Sequence, residues 1–289
     1  MILLQFELIE PDSVIKACDF LQHNDKARII AGGTDLLVNL KKKTIISDLL
    51  VSLDKISGLN NISFPDRSIL SLGPLLTIAD IAESPLIKAH FPVLSQAAGK
   101  LGSPQVRNRA TIGGNICTAR PAGDTIGPLI AYGATAQITG AIGVRTQPFA
   151  TLFQGPGQTS IGRGEILTAI MIKRPVGNIR GNYIKYTIRK AMEIALISIT
   201  TLVSLENSVC SSAKIILGAV APTFIRCPAA EDFLVGKKIT DDIADRAGKL
   251  AINACSPISD VRASADYRRK LVKILVKRSL LEAISSVTN

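Results

Sequence analysis

Tryptophan is absent from this 289-residue chain, histidine occurs twice, and aromatic residues make up only 4%. So few flat side chains leave little from which to build a stacking platform for bases. The net charge of +11 therefore reads as a solvated basic face or a surface for an acidic partner subunit, and no nucleic-acid ligand is expected. His23 and His90 each stand alone, without an accompanying Ser or Cys motif, so neither is expected to be catalytic. The five cysteines (Cys18, Cys117, Cys210, Cys227 and Cys255) include no CxxC pair. That spacing argues against a zinc site or an iron–sulfur cluster held by this chain, and free, buried thiols are the expected state. No apolar run approaches the roughly 18 residues that a membrane span needs. The N-terminus, MILLQFELIEP, lacks a basic leader region and carries Glu7 and Glu10 early, so it reads as a first strand of a cytoplasmic protein. Two nucleotide fingerprints are missing as well. Gly236-Lys237-Lys238 has no upstream glycine at P-loop spacing, and no GxGxxG opens a helix.

What the chain does contain is a pair of Gly-Gly turns. Residues 29–36 read IIAGGTDL, an apolar β-branched run that ends in Gly32-Gly33 and continues into a small hydroxyl and a carboxylate. Residues 110–115 read ATIGGN, with Gly113-Gly114 followed by Asn115. Glycine reaches positive φ cheaply and admits another molecule close to the main chain. Successive backbone amides in such turns form concave nests for phosphate oxygens. One nest is an ordinary turn; two suggest a diphosphate held between loops.

The patterning around the turns reads as mixed α and β structure. SVIKACDFLQH places Val14, Ala17, Cys18 and Leu21 on one helical face, with Asp12 or Ser13 as N-cap. The strand into Gly32, a helix-compatible LLVNLKKK and the apolar ISDLLVSLD complete a small α/β unit over about the first 55 residues. TIADIAESPLIKAHFPVLSQAAGKLG is expected to be helical in two pieces, broken at Pro85 and Pro92. The Gly- and Pro-rich stretch after Arg107 suits backbone that faces a ligand, and it closes on a strand ended by Pro175. YIKYTIRK, ALISITTLVSLE and SAKIILGAVAP are strand-like. The segment from Asp266 to Ile284 places Tyr267, Leu271, Ile274, Leu275, Leu281 and Ile284 at helical spacing, as a packed terminal helix.

Five motifs occur in one order: IIAGGTDL, LGSPQVRNRATIGGN at 101–115, PAGD at 121–124, GPG at 155–157 with EIL at 165–167, and RASADYRR at 262–269. This series resembles the FAD-binding subunit of the xanthine dehydrogenase family of molybdenum hydroxylases, which is similar to the medium subunit of carbon monoxide dehydrogenase. The resemblance runs from about residue 3 to about residue 285. It implies an α+β chain: a two-subdomain FAD-binding domain of the vanillyl-alcohol-oxidase type, at residues 1–55 and 56–176, and a C-terminal α+β domain at 180–289 built on a three-stranded sheet.

By the same resemblance, one non-covalent FAD lies between the subdomains. Ile29, Ile30, Ala31, Gly32, Gly33, Thr34, Asp35 and Leu36, together with Thr111, Ile112, Gly113, Gly114 and Asn115, are the residues expected to cradle its diphosphate through backbone amides. Asp124 is expected at the adenosine end. Leu101, Leu167 and Lys185 match positions that line the flavin, and Thr118 falls where a hydroxyl reaches the ring or the ribityl chain. The chain departs from the family at Arg120, where a small residue is usual. This either changes the polarity near the cofactor or places an arginine on a phosphate.

The family's function implies two partners: a molybdopterin subunit that oxidises the substrate, and a [2Fe-2S] subunit that relays electrons to this FAD, from which they pass to NAD+ or another acceptor. The missing cysteine clusters agree with that division and speak against the 4-hydroxybenzoyl-CoA reductase branch. Two other classes stay open on the residues alone: a free-standing flavin oxidoreductase of the same cofactor fold, and a basic non-enzymatic binding protein.

Overall fold

A computed structural model describes residues 5–189 and 192–285. Residues 1–4 of the expected first strand and Lys190 of the YIKYTIRK segment lie outside the described residues. Three main sheets organise the chain, and each buries one apolar set.

The first sheet is parallel and three-stranded, with Leu49–Ser52 between Glu7–Ile9 and Ala27–Ile30. Its middle strand, LLVS, is buried along its whole length, as a strand covered on both faces must be. The helix Val14–His23 turns Ala17, Cys18 and Leu21 onto this sheet, and the Ser13 side chain caps it by accepting from the Lys16 amide.

The second sheet is antiparallel and five-stranded, in the order Ile62–Asp66, Ile69–Leu72, Ile166–Lys173, Thr135–Gly140, Gly143–Pro148. Leu70, Leu72, Ile138, Ile170 and Ile172 form the floor of a core roofed by helices between Ile78 and Ala131. The stretch expected as two helical pieces is three: Ile78–Glu83, Pro85–His90 and Pro92–Gly99. Each proline opens a helix at its first position, where the missing N–H costs no internal bond.

The third sheet is antiparallel and has four strands where three were expected. Ile179–Tyr186, Ile197–Glu206 and Val209–Gly218 are joined by the two-residue Ile225–Arg226. Ile197, Ile199, Val203, Ile215 and Leu217 face the helices Pro228–Leu234, Asp241–Ala251 and Ala265–Ser285. Tyr183, Leu202 and Ile216 face the other way, against Val93, Ala97 and Ala131 of the preceding unit. The sheet is therefore sandwiched, and the C-terminal unit docks on the middle one through an apolar patch.

The terminal helix presents a different stripe from the one its spacing suggests. Leu271, Val272, Leu275, Val276, Leu280 and Ala283 are buried with Arg268 and Ser279, whereas Tyr267 and Ile274 are exposed. Thr201 and Ser279 pair their hydroxyls across this interface at 2.9 Å. Among the described residues, no helix is long and apolar enough to cross a membrane.

Candidate functional site

A cleft of about 1180 Å³ opens where the three units meet. The strand Ala27–Ile30 delivers the chain to its edge, and the backbone turns through Ala31–Asp35 before the short helix Leu36–Lys41. The sequence turns here because Gly33 sits at φ +71, a conformation that L side chains rarely adopt. Gly32 answers a different constraint: a Cβ there would lie 1.9 Å from the carbonyl oxygen of Arg109, so the two glycine-bearing loops touch backbone to backbone. The amides of Gly32, Gly33, Thr34 and Asp35 have no hydrogen-bond partner among the described residues. Four adjacent unpartnered donors on a partly exposed cleft wall are the kind of donor set that receives an anion.

The second Gly-Gly turn is built otherwise, with each of its amides partnered inside the fold rather than left open. Thr111 caps the helix Ile112–Cys117, its hydroxyl accepting from the Gly114 amide at 3.0 Å. The Ile112 amide donates to Leu76 O, Gly113 to Pro74 O and Asn115 to Thr111 O, at 2.8–3.0 Å. Those four donors are thus committed within the fold. Gly113 is glycine because a Cβ would meet Pro74 at 2.6 Å. Thr111, Gly113, Gly114, Asn115 and Thr118 still line the cleft as a smooth wall, while Ile112 points into the core. The Thr118 hydroxyl donates to Gly114 O at 2.7 Å, and Asn115 Oδ1 accepts from the Thr125 hydroxyl at 2.8 Å.

Ile29, Ala31 and Leu36 also face the cleft, and Leu101 and Leu167 give it an apolar side together with Leu53, Leu75 and Ile166. Ile30, Asp124 and Lys185 are not among the lining residues. Asp124 is buried and accepts from Tyr183 Oη at 2.7 Å and Lys185 Nζ at 2.9 Å. Burial pushes the Asp124 carboxyl upward, against the pull of the Lys185 ammonium, and drives the Tyr183 phenol well above its usual range. Lys185 also donates to Lys100 O and Lys100 to Tyr183 O, so this cluster is a polar strut between the middle unit and the third sheet. The Lys185 side chain is largely buried although it lies on a strand, because the middle unit covers that face.

Sequence reasoning left out the cleft's third wall. Pro156 and Gly157 contribute to it, as do Ile194, Ala221, Ser256, Arg262 and Arg268. Arg268 is 1% exposed, and the Asp260 carboxylate holds both it and Arg262. That pairing keeps Asp260 well below the ordinary carboxylate range. Arg268 Nη1 donates to Leu196 O at 2.7 Å, while its buried Nε has no partner among the described residues. The motifs GPG and RASADYRR were the available signal, and neither had been placed at the cleft. Cys117 also opens to the cleft, whereas Cys18, Cys210 and Cys227 are buried as expected and Cys255 is half-buried.

The size of the cleft, its apolar side and its unmet amides suit a long ligand with one doubly charged segment. Residues 4–175 match the FAD binding domain in molybdopterin dehydrogenase, and residues 182–283 match the CO dehydrogenase flavoprotein C-terminal domain. The xanthine dehydrogenase FAD-binding subunit of Escherichia coli O157:H7 is 30% identical over 271 residues, 93% of each chain. A solved carbon monoxide dehydrogenase from Hydrogenophaga pseudoflava superposes with a TM-score of 0.95 at 31% identity, covering 99% of both chains. Quinoline 2-oxidoreductase from Pseudomonas putida 86 gives 0.93 at 31%, covering 98% of both. With both halves matched in order and each contributing a wall to one cleft, the chain belongs to the family of FAD-binding medium subunits of molybdenum hydroxylases.

Proposed function

We propose that this chain is the electron-transfer flavoprotein subunit of a xanthine-dehydrogenase-type molybdenum hydroxylase complex. In this reading a [2Fe-2S] partner delivers electrons from a molybdopterin subunit, and NAD+ or another acceptor removes them. The observation that carries the reading is the run of four unmet amides from Gly32 to Asp35 on the cleft wall. They would hold the diphosphate of FAD, with Gly113 and Gly114 closing on it from the opposite loop. Leu101 and Leu167 would shield the ring from water, and Thr118 would offer its hydroxyl beside them. Asp124 and Lys185, behind the wall, would fix the turn at Pro121 and Ala122 that borders the cleft. Bound flavin supplies the chemistry, accepting electrons singly or in pairs, while the protein supplies position and electrostatics.

The substrate is a property of another subunit. Relatives named for xanthine, carbon monoxide and quinoline oxidation all stand at 30–31% identity to this chain. The chain purified alone is expected to be yellow, to release its flavin on acid precipitation, and to oxidise no purine or aldehyde. Adding the [2Fe-2S] and molybdopterin subunits should restore turnover. Flavin retained in the acid pellet would overturn the non-covalent assignment. Hydroxylation by the isolated chain, free of molybdenum and iron by elemental analysis, would overturn the subunit reading.

A further inference from the structure

Arg120 reaches across the cleft. Its Nη2 donates to Asp35 Oδ1 at 3.0 Å, linking two residues 85 apart in sequence that both line the cavity. Asp35 stands at the N-cap of the helix Leu36–Lys41, yet its side chain makes no capping bond. Arg120 is its only side-chain partner among the described residues. The carboxylate therefore sits beside the unmet amides of Gly32–Asp35 with no structural duty there, and it would repel a diphosphate if left alone. Arg120 removes that repulsion and uses only one of its five N–H donors to do so. Both side chains are about half exposed, 51% and 50%, so the pair is weak and exchanges readily. A diphosphate offers a guanidinium two charges and a bidentate fork, where the present contact offers one charge and one hydrogen bond.

We propose that Arg120 is a phosphate-binding residue of this cleft, held beside the amide turn by Asp35 and transferred to the diphosphate when the ligand enters. The inference rests on the placement of FAD proposed above. It makes Asp35 a competitor for the arginine rather than a contributor to affinity.

The opposite signs expected at the two residues provide the test. The full chain is stripped of flavin, and FAD affinity is measured by quenching of flavin fluorescence across a range of salt concentrations. Arg120→Gln should weaken binding about 10- to 100-fold, the scale of losing a charge-assisted contact, and should flatten the salt dependence. Arg120→Lys should recover part of the loss. Asp35→Asn should bind FAD severalfold more tightly than the parent. Both positions are half exposed, so the unfolding midpoints of the flavin-free variants should match the parent, which separates a binding role from a structural one. Equal losses at Arg120→Gln and Asp35→Asn would show a strap that closes the cleft, and would overturn the proposal. An unchanged affinity in Arg120→Gln would do the same. Failure of the parent chain to bind FAD, or full retention by Gly33→Val, would instead remove the cleft assignment on which the proposal stands.

Discussion

The two Gly-Gly turns look alike as text and differ as structures. IIAGGTDL ends a parallel strand and leaves four amides open, with Gly33 at φ +71. ATIGGN is the capped first turn of a helix, with the amides of residues 112–115 tied to Thr111, Pro74 and Leu76. In the first pair, Gly33 takes the positive φ that turns the chain and Gly32 admits the Arg109 carbonyl, and the adjoining amides are left open. In the second pair, Gly113 makes room for Pro74, so that one loop can press against another, while Gly114 lies nearest the Thr111 hydroxyl that caps the helix. A Gly-Gly dipeptide therefore reports close approach to the main chain, without saying whether the approaching group is a ligand or the protein itself.

Substitutions in the two turns should separate these roles. The largest effect is expected from Gly33→Val, where a β-branched side chain meets a positive φ. FAD retention should fall at least 100-fold, with a stability cost of about 1–3 kcal/mol from backbone strain. The flavin-to-protein absorbance ratio after gel filtration measures it, and stoichiometric flavin in the variant would erase the distinction. Gly113→Ala should behave in the reverse manner. Overpacking against Pro74 should cost about 1–3 kcal/mol in urea unfolding, while flavin per folded molecule stays near the parental value. A variant that lost flavin without losing stability would show that the amides of the second turn hold the ligand directly. Thr111→Ala removes the helix cap and should cost about 1 kcal/mol by the same measurement. The smallest effect belongs to Gly114→Ala, where the nearest obstacle is the Thr111 hydroxyl at 3.0 Å. A gain in helix propensity of about 0.5–1 kcal/mol opposes that contact, and the net change should be close to zero with flavin retained.

Much of the first unit was legible because its signals are local. An apolar strand stopped by glycine, an alternation at helical spacing after Ser13 and a run of four buried residues at Leu49 each need only neighbours in sequence. The helix at Ile112–Cys117 was not legible: six small or apolar residues carry no periodicity, and the partners that fix it, Pro74 and Leu76, come from a remote loop. The Asp124–Lys185 pair spans 61 residues and exists only because two units dock. The terminal helix shows the same limit from another side. Spacing favoured Tyr267 and Ile274, but the inward face carries Arg268, an unlikely core residue until Asp260 is seen beside it. Arg120 was conspicuous as a departure from the family, yet its partner across the cleft could not be read from the chain.

One consequence of the cleft concerns time. Its walls begin at Ile29 and finish at Arg268, so the cavity is incomplete until almost the whole chain has left the ribosome. Units that fold in order of synthesis would present the Gly32–Asp35 turn early, with its far wall still unmade. With FAD placed in this cleft as proposed, its full enclosure requires the last helix to have docked.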